Sequence, residues 1–504
     1  MIMRMTLINK HNSDSTTPQD SPEAPLGRLR LAGALAGPIV ATLILLLPAP
    51  DGMPQEAWRL VAMASWMVIW WLSEAIPIPA TALLPIILMP LFSIDMIKPV
   101  AANYAHPLIY LFLGGFLLAA AMQHVGLHRR IALQIVSWVG TSPSKIILGF
   151  MLATAFLSMW ISNTATTIMM FAVGLSVIDF VAHHTDDDRI VRNFGVALML
   201  SIGYSASIGG VGTLIGTPPN ALLASFLHST YNIEITFFNW MLLGVPVVLV
   251  MLPITWLILT RLLFPSHQIA IKDPSSVVKQ ELATLGTMTR GEKLVAIVFI
   301  CAALGWIFRK LLVELTGLPI NDTIIALVAA MILFTVPISR AKGEYALDWE
   351  ATRNVPWGVL LLFGGGLALA SGFKGTGLAE WIGNAVGSVD ISTLTLVLLV
   401  TIAIVYLTEI TSNTASTATF LPILAAVAVG LELDPLALCV PVALGASMAF
   451  MMPVATPPNA IVFSYNRMEL HDMVRAGFLL NLLAILVAFG LFTLLAGWVF
   501  DIEL

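Results

Sequence analysis

Two short polar phrases, each present twice, carry the side chains of this sequence best suited to holding a small charged solute. Ser162-Asn163-Thr164 sits in the run Trp160 to Thr167, and Ser412-Asn413-Thr414 in the run Ile410 to Thr417, 250 residues further on. Each is followed by a second phrase, Thr217-Pro218-Pro219-Asn220-Ala221 and Thr456-Pro457-Pro458-Asn459-Ala460. Carbonyl and hydroxyl oxygens are hard ligands that suit a small hard cation such as Na+. The Asn NH2 and Thr hydroxyl are neutral donors to a carboxylate. In broken helices the C-terminal half-ends and unwound carbonyls attract the cation, and the N-terminal ends attract the anion. Two facing Ser-Asn-Thr sets would offer one donor cluster to each end of a dianion. No Lys or Arg lies in either phrase or in the apolar segments around it. An anion site here therefore draws its countercharge from bound Na+, which makes coupling a consequence of electrostatics. A single Ser-Asn-Thr reads as packing glue between membrane helices. Two copies at matching places of two halves point instead to a transporter site near the bilayer midplane.

The elements that must position these phrases are membrane helices. Of 504 residues, 58% are hydrophobic and 11% charged, and the mean hydropathy is +0.92. Soluble domains carry roughly 25% charged residues, so the chain belongs in a lipid bilayer. Its net charge of -5 argues against nucleic acid as a partner. Residues 1–27 are polar and lack an apolar run, which reads as a disordered cytoplasmic tail and not as a cleaved signal peptide. Apolar stretches long enough to span begin near Leu31, Trp58, Pro79 and Pro107. A hairpin over about 146–180 holds the first Ser-Asn-Thr, and a stretch broken at Gly209-Gly210 holds the first Thr-Pro-Pro-Asn. A span from Phe237 to Leu263 completes the first half, 28–263. A polar linker, 264–293, with Lys272, Lys279, Arg290 and Lys293, leads into the second half, 294–504.

The second half repeats the plan: spans from Leu294, Asp322 and Val355, a hairpin over about 394–428, a broken span over 435–463 and a last span over 477–499. Leu111-Phe112-Leu113-Gly114-Gly115 and Leu361-Leu362-Phe363-Gly364-Gly365 share the offset of 250, so whole blocks are duplicated. The expected fold is an all-α polytopic membrane protein of two inverted repeats, with about eleven transmembrane helices and two re-entrant hairpins. Lys and Arg placement puts the N-terminus in the cytoplasm and the C-terminus outside. Arg28 and Arg30, His128 to Arg130, Arg189 with Arg192, the linker, Arg340 to Arg353, and Arg467 with Arg475 then fall inside. Lys98, Arg309, Lys310 and Lys374 are the exceptions.

These residues resemble the divalent anion/sodium symporter family of sodium-coupled dicarboxylate, citrate and sulfate carriers. Ala446 to Val462 fits that family's long signature, and with the duplicated Ser-Asn-Thr the likeness covers nearly everything after the tail. The resemblance implies one sodium site at Ser158, Ser162, Asn163 and the Gly216 carbonyl, with Gly212 competing for the last place, and a second at Thr408, Thr411, Asn413 and the Ala455 carbonyl. It implies that Asn163, Thr164, Asn413 and Thr414 hold the substrate carboxylates, helped by Thr217, Pro218, Thr456 and Pro457. It also implies a homodimer in the cell (inner) membrane that moves a transport domain against a scaffold, elevator fashion. Na+ is then the coupling ion, with no organic cofactor. The substrate expected first is a C4-dicarboxylate, with citrate or sulfate symport, or sodium-independent exchange, as the alternatives.

Several other residues have plainer readings. Glu409, opposite Met159 in the repeat, reads as a carboxylate that props its hairpin through backbone hydrogen bonds, with a cation relay as the alternative. Glu74 reads as a cap on a Pro-rich connection and His106 as a neutral hydrogen-bonded helix start. Asp186-Asp187-Asp188 lacks the EF-hand spacing and reads as a solvated loop. Cys301 and Cys439 read as core-filling thiols. No HExxH, GxSxG or P-loop is present, which argues against an enzyme and against ATP as a built-in driver.

Overall fold

The computed structural model describes residues 25–140, 142–185, 187–265, 275–339, 341–386 and 391–504. Most of the expected tail (1–24), Lys272, Asp186, Arg340 and the side chain of Arg28 lie outside the described residues. What is described is almost wholly helical. The exception is a two-stranded antiparallel ribbon, Pro337–Ser339 with Glu344–Tyr345, which the all-α reading did not include. The first helix opens at Pro25, inside the stretch assigned to the tail.

The two hairpins are helix pairs interrupted for four or five residues. Pro143–Ser158 and Asn163–Ala182 form the first, Thr393–Leu407 and Asn413–Gly430 the second. Ser162 and Ser412 are the N-caps of the second arms, with ψ of 139° and 131°; the Ser162 hydroxyl accepts a capping bond from Ala165 N, and Ser412 makes none. Each hairpin is followed by a broken helix: Asp188–Gly210 with Pro218–Tyr231, and Leu436–Ala446 with Pro457–Phe463. Pro at the first helical position restarts each second piece, where its missing N–H costs nothing.

Among the described residues, six helices are long and apolar enough to cross a bilayer, and a seventh counts if Arg290–Ile307 and Arg309–Thr316, bent by 83°, are one span. The second arm of each hairpin is among the six. The other expected spans are shorter apolar helices such as Ile78–Leu91 and Asp322–Thr335, or pieces of the broken helices. Pro and Gly that divide these stretches keep them below the length of a continuous span. The linker is not a bare loop either. Helix Ser275–Thr284 lies in it, tied to helix Leu127–Val139 by the Arg129–Glu281 ion pair. Arg130 binds Glu292 at 2.6 Å and donates to the Leu285 and Gly286 carbonyls. The capping box of Thr289 and Glu292 starts the second half's first helix at Arg290.

The repeated glycine pairs bring helices together closely. A Cβ on Gly114 would meet Ala326 at 2.6 Å, and one on Gly365 would meet the Ala82 carbonyl oxygen at 2.3 Å. The helices Pro107–His124 and Trp357–Gly375 can therefore press against their neighbours beside the hairpins. Cys439 is buried as expected, but Cys301 is exposed on the outer face of Arg290–Ile307. An apolar run facing lipid looks the same in sequence as one facing a core, which is why the two thiols could not be told apart.

Candidate functional site

The four repeated phrases converge on one cavity of about 850 Å³. Ser162, Asn163, Thr164, Gly216, Thr217 and Pro218 from the first half line it, facing Thr411, Asn413, Thr414, Ala455, Thr456 and Pro457 from the second. All eight residues expected at the substrate are in this wall, as are six of the eight expected at sodium. The remaining two, Ser158 and Thr408, are fully buried one layer behind it.

The helix ends explain what such a wall can attract. Asn163–Ala182, Asn413–Gly430 and Pro218–Tyr231 all begin at the cavity, as does the short helix Pro457–Phe463. Their first turns leave backbone N–H groups free of intrahelical partners, and the aligned peptide dipoles make these ends positive. An anion between them is stabilised without a fixed cation. Ser162 accepts from Ala165 N, and Thr456 accepts from Asn459 N, so hydroxyls fix the chain at two of these starts.

Behind each Ser-Asn-Thr the polarity reverses. The Ser158 hydroxyl lies within hydrogen-bond reach of Asn163 Oδ1 and 2.6 Å from the Ala206 carbonyl oxygen. Thr408 Oγ1 stands 2.7 Å from Asn413 Oδ1 and 3.1 Å from the Ala446 carbonyl oxygen. One hydroxyl proton cannot serve two acceptors at once. With the Asn163 amide turned over, its NH2 donates to Ser158 Oγ and to the Ala206 and Gly216 carbonyls at 3.2 Å. With its oxygen inward, Asn163 Oδ1, Ser158 Oγ and those two carbonyls are four hard oxygens about one point. That is the donor set a small hard cation takes, and it contains no thiolate or imidazole. Of the two glycines competing for this place, Gly216 reaches Asn163 and lines the cavity, while Gly212 packs against Met159.

Sequence reasoning missed several participants. Ala206 and Ala446 act through their carbonyls, which no side-chain pattern announces. Asn220 and Asn459, the last polar residues of the repeated phrases, staple the unwound loops. Asn220 Nδ2 donates to the Gly210, Val211 and Thr213 carbonyls, and Asn459 Nδ2 to those of Ala449 and Met452. Their repetition was the available signal. Glu409 does not reach the cavity: its carboxylate accepts from Phe450 N, Met451 N, Met452 N and Asn481 Nδ2, at 2.7 to 2.9 Å for the shortest contact of each. The propping reading fits this geometry, and a relay has no route into the cavity wall. His106 accepts from Leu108 N as a helix cap, and Asp187 caps the helix that starts at Asp188. Arg309 is paired with Glu234 at 2.8 Å, which accounts for one basic exception to the charge asymmetry.

The sequence model of the family described as the sodium:sulfate symporter transmembrane region matches residues 30–500. A protein of Staphylococcus saprophyticus named sodium-dependent dicarboxylate transporter SdcS is 42% identical over 465 residues, 91% of this chain and 90% of that one. Its namesake in Staphylococcus aureus is 42% identical over 472 residues, 92% of this chain and 90% of that one. Among solved structures, the YdaH transporter of Alcanivorax borkumensis matches with a TM-score of 0.55 at 14% identity, over 88% of this chain and 99% of that one, a likeness of fold alone.

Proposed function

The chain belongs to the sodium:sulfate symporter family, and from that premise we propose that it is a multi-pass membrane carrier moving a C4-dicarboxylate, such as succinate, malate or fumarate, together with Na+. The observation that carries this reading is the single cavity where both Ser-Asn-Thr and both Thr-Pro-Pro-Asn phrases meet. Helix starts and neutral donors face the cavity, and oxygen clusters sit directly behind them. Asn163 and Thr164 hold one carboxylate, and Asn413 and Thr414 the other, with Thr217, Pro218, Thr456 and Pro457 closing the wall. Ser158, Ser162, Asn163 and the Gly216 carbonyl take one Na+. Thr408, Thr411, Asn413 and the Ala455 carbonyl take a second. Sodium on both flanks supplies the countercharge that lets a dianion enter, so neither cargo binds well alone. The names of the two staphylococcal relatives support both the ion and the substrate class.

The protein works as a homodimer in the inner membrane. Its two halves are inverted with respect to each other, the N-terminus is cytoplasmic and the C-terminus lies outside. The hairpins and broken helices move together against the remaining helices as an elevator. Because the cavity wall includes Arg30 and Glu74, which this topology puts on the cytoplasmic side, the conformation described is open inward.

The test is uptake of radiolabelled succinate into proteoliposomes under an inward Na+ gradient, with choline replacing Na+ in one arm and excess sulfate or citrate competing in others. Uptake that requires Na+ and ignores sulfate is expected. Uptake indifferent to Na+ but dependent on internal dicarboxylate would replace symport with exchange, and sulfate or citrate moving in place of succinate would overturn the substrate.

A further inference from the structure

The cavity has one feature that the anion and sodium sites do not use. Among the described residues, Arg30 is the only Lys or Arg in its wall and Glu74 the only acid. Their side chains meet at 3.2 Å and are about half exposed, 57% and 48%. They therefore stand at the mouth, while Gly216, Thr217 and Thr456 are buried deeper in. Packing fixes them there. A Cβ on Gly33 would meet Ser73 Oγ at 2.0 Å, and one on Gly37 would meet Trp70 Nε1 at 2.6 Å. The first helix thus lies directly against helix Gln55–Ser73, and Arg30, one turn before Gly33, falls beside the end of that helix. Glu74 is the next residue, in the left-handed region at φ 46°, and its N–H closes the helix on the Trp70 carbonyl.

An exposed ion pair of this kind adds little to stability, so holding the two helices together does not explain it: the glycine contacts already do that. A pair this weak exchanges readily, and here both of its side chains stand in the cavity wall. We propose that Arg30 and Glu74 form an exchangeable vestibule, Arg30 giving a first subsite to a substrate carboxylate and Glu74 one to Na+, each releasing the other as cargo arrives. This rests on the reading of the chain as a sodium-coupled dicarboxylate carrier. Opposite charges at the mouth suit a carrier whose two cargoes have opposite charge. A charge at the entrance acts on encounter, so its effect falls on KM, on one membrane face only, and fades with salt.

The test compares Arg30→Gln, Arg30→Lys and Glu74→Gln with the unaltered chain, in right-side-out and inside-out membrane vesicles at fixed Na+. Arg30→Gln is expected to raise KM for succinate about fivefold on the cytoplasmic face, read in inside-out vesicles, with kcat unchanged, and Arg30→Lys to stay near the unaltered value. Glu74→Gln, which frees Arg30, is expected to lower that KM while raising the Na+ concentration for half-maximal rate on the same face. Raising choline chloride from about 20 to about 200 mM should erase the differences. KM shifts of the same sign in Arg30→Gln and Glu74→Gln are what a merely structural pair would give, and they would overturn the vestibule. So would equal shifts on both faces, or none. If the unaltered chain takes up succinate without regard to Na+, the underlying reading fails, and the vestibule's sodium half fails with it.

Discussion

The two loops that interrupt the broken helices face the same cavity and are held from behind in different ways. The first, residues 211–217 between Gly210 and Pro218, is short and turns tightly. Its Val211 and Gly212 N–H groups bond back to the preceding helix, and the Thr213 hydroxyl accepts from Gly216 N and donates to the Met159 carbonyl. The second, residues 447–456 between Ala446 and Pro457, is three residues longer and has no regular secondary structure from Met448 to Phe450. Three successive N–H groups, at Phe450, Met451 and Met452, then find no helical partner, and the Glu409 carboxylate takes all three. Met159, in the corresponding place, brings no carboxylate; its backbone carbonyl accepts from the Thr213 hydroxyl instead. The repeat keeps what faces the cargo alike, since a dicarboxylate has two equivalent ends. It leaves each half free to satisfy its own backbone, which in hydrocarbon must be satisfied within the protein.

The largest effects should fall where the halves are alike. Asn163→Ala and Asn413→Ala each remove an amide that the proposed site gives to both a carboxylate and a cation, and each should lower succinate uptake at least about 100-fold, as expected of a site with no redundant donor. Stabilisation by Na+ in a thermal-melt assay should weaken in both but vanish in neither, because the other cluster remains. Normal uptake in either variant would sink the assignment. A melt that loses all sodium response in one alone would show the clusters to be unequal.

Next comes the anchor that differs. Glu409→Ala strands three buried N–H groups and the Asn481 amide, and an unsatisfied buried donor costs about 1–3 kcal/mol. A loss of several kcal/mol, read as a fall in the melting temperature of about 3–6 °C in a chain of this length, should accompany loss of transport. Met159→Ala should cost no more than a truncated, partly buried apolar side chain, about 1–2 kcal/mol. Equal melts for the two would mean that Glu409 does not hold the loop. Thr213→Val is the first loop's counterpart and removes one hydroxyl with two hydrogen bonds. It should cost about 1–2 kcal/mol and raise the Na+ requirement several-fold, through the Gly216 carbonyl that Thr213 helps to position.

The parts of this contrast that sequence could show are those written in side chains. Both phrases repeat as letters, so the cavity wall could be named residue by residue, and the first hairpin's break carries a serine N-cap that any reader can find. Loop length was also countable, but its consequence was not. That Glu409 meets three N–H groups depends on the non-helical path of the loop through Met448 to Met452, which local propensity does not fix. Ala206 and Ala446 contribute only carbonyls, and alanine in an apolar run carries no mark of that. The Arg30–Glu74 pair joins two helices whose contact depends on glycines, a long-range fact. About eleven spans were expected; among the described residues six or seven helices are long and apolar enough to cross alone and others are shorter apolar helices, because hydropathy windows pass over a Pro or Gly that ends a helix.

The smallest expected effect tests the likeness itself. Thr167 Oγ1 donates to the Asn163 carbonyl and Thr417 Oγ1 to the Asn413 carbonyl, each at 2.8 Å across one helical turn. Both hydroxyls are buried beneath the cavity wall. Each bond is a second acceptance by a carbonyl that sits at the start of a helix, so it biases the pitch of the first turn and with it the aim of the asparagine side chain. Valine matches threonine in shape and removes the hydroxyl without leaving a donor stranded, so Thr167→Val and Thr417→Val should each cost about 0.5–1 kcal/mol. The two costs should agree within about 0.5 kcal/mol, and together they should add, because the hairpins meet only across the cavity. The Na+ concentration for half-maximal uptake should rise less than about twofold in either, which is the rate equivalent of a fraction of 1 kcal/mol. A tenfold rise in one and none in the other would show that the first turns do different jobs, and the equivalence of the two carboxylate ends would go with it.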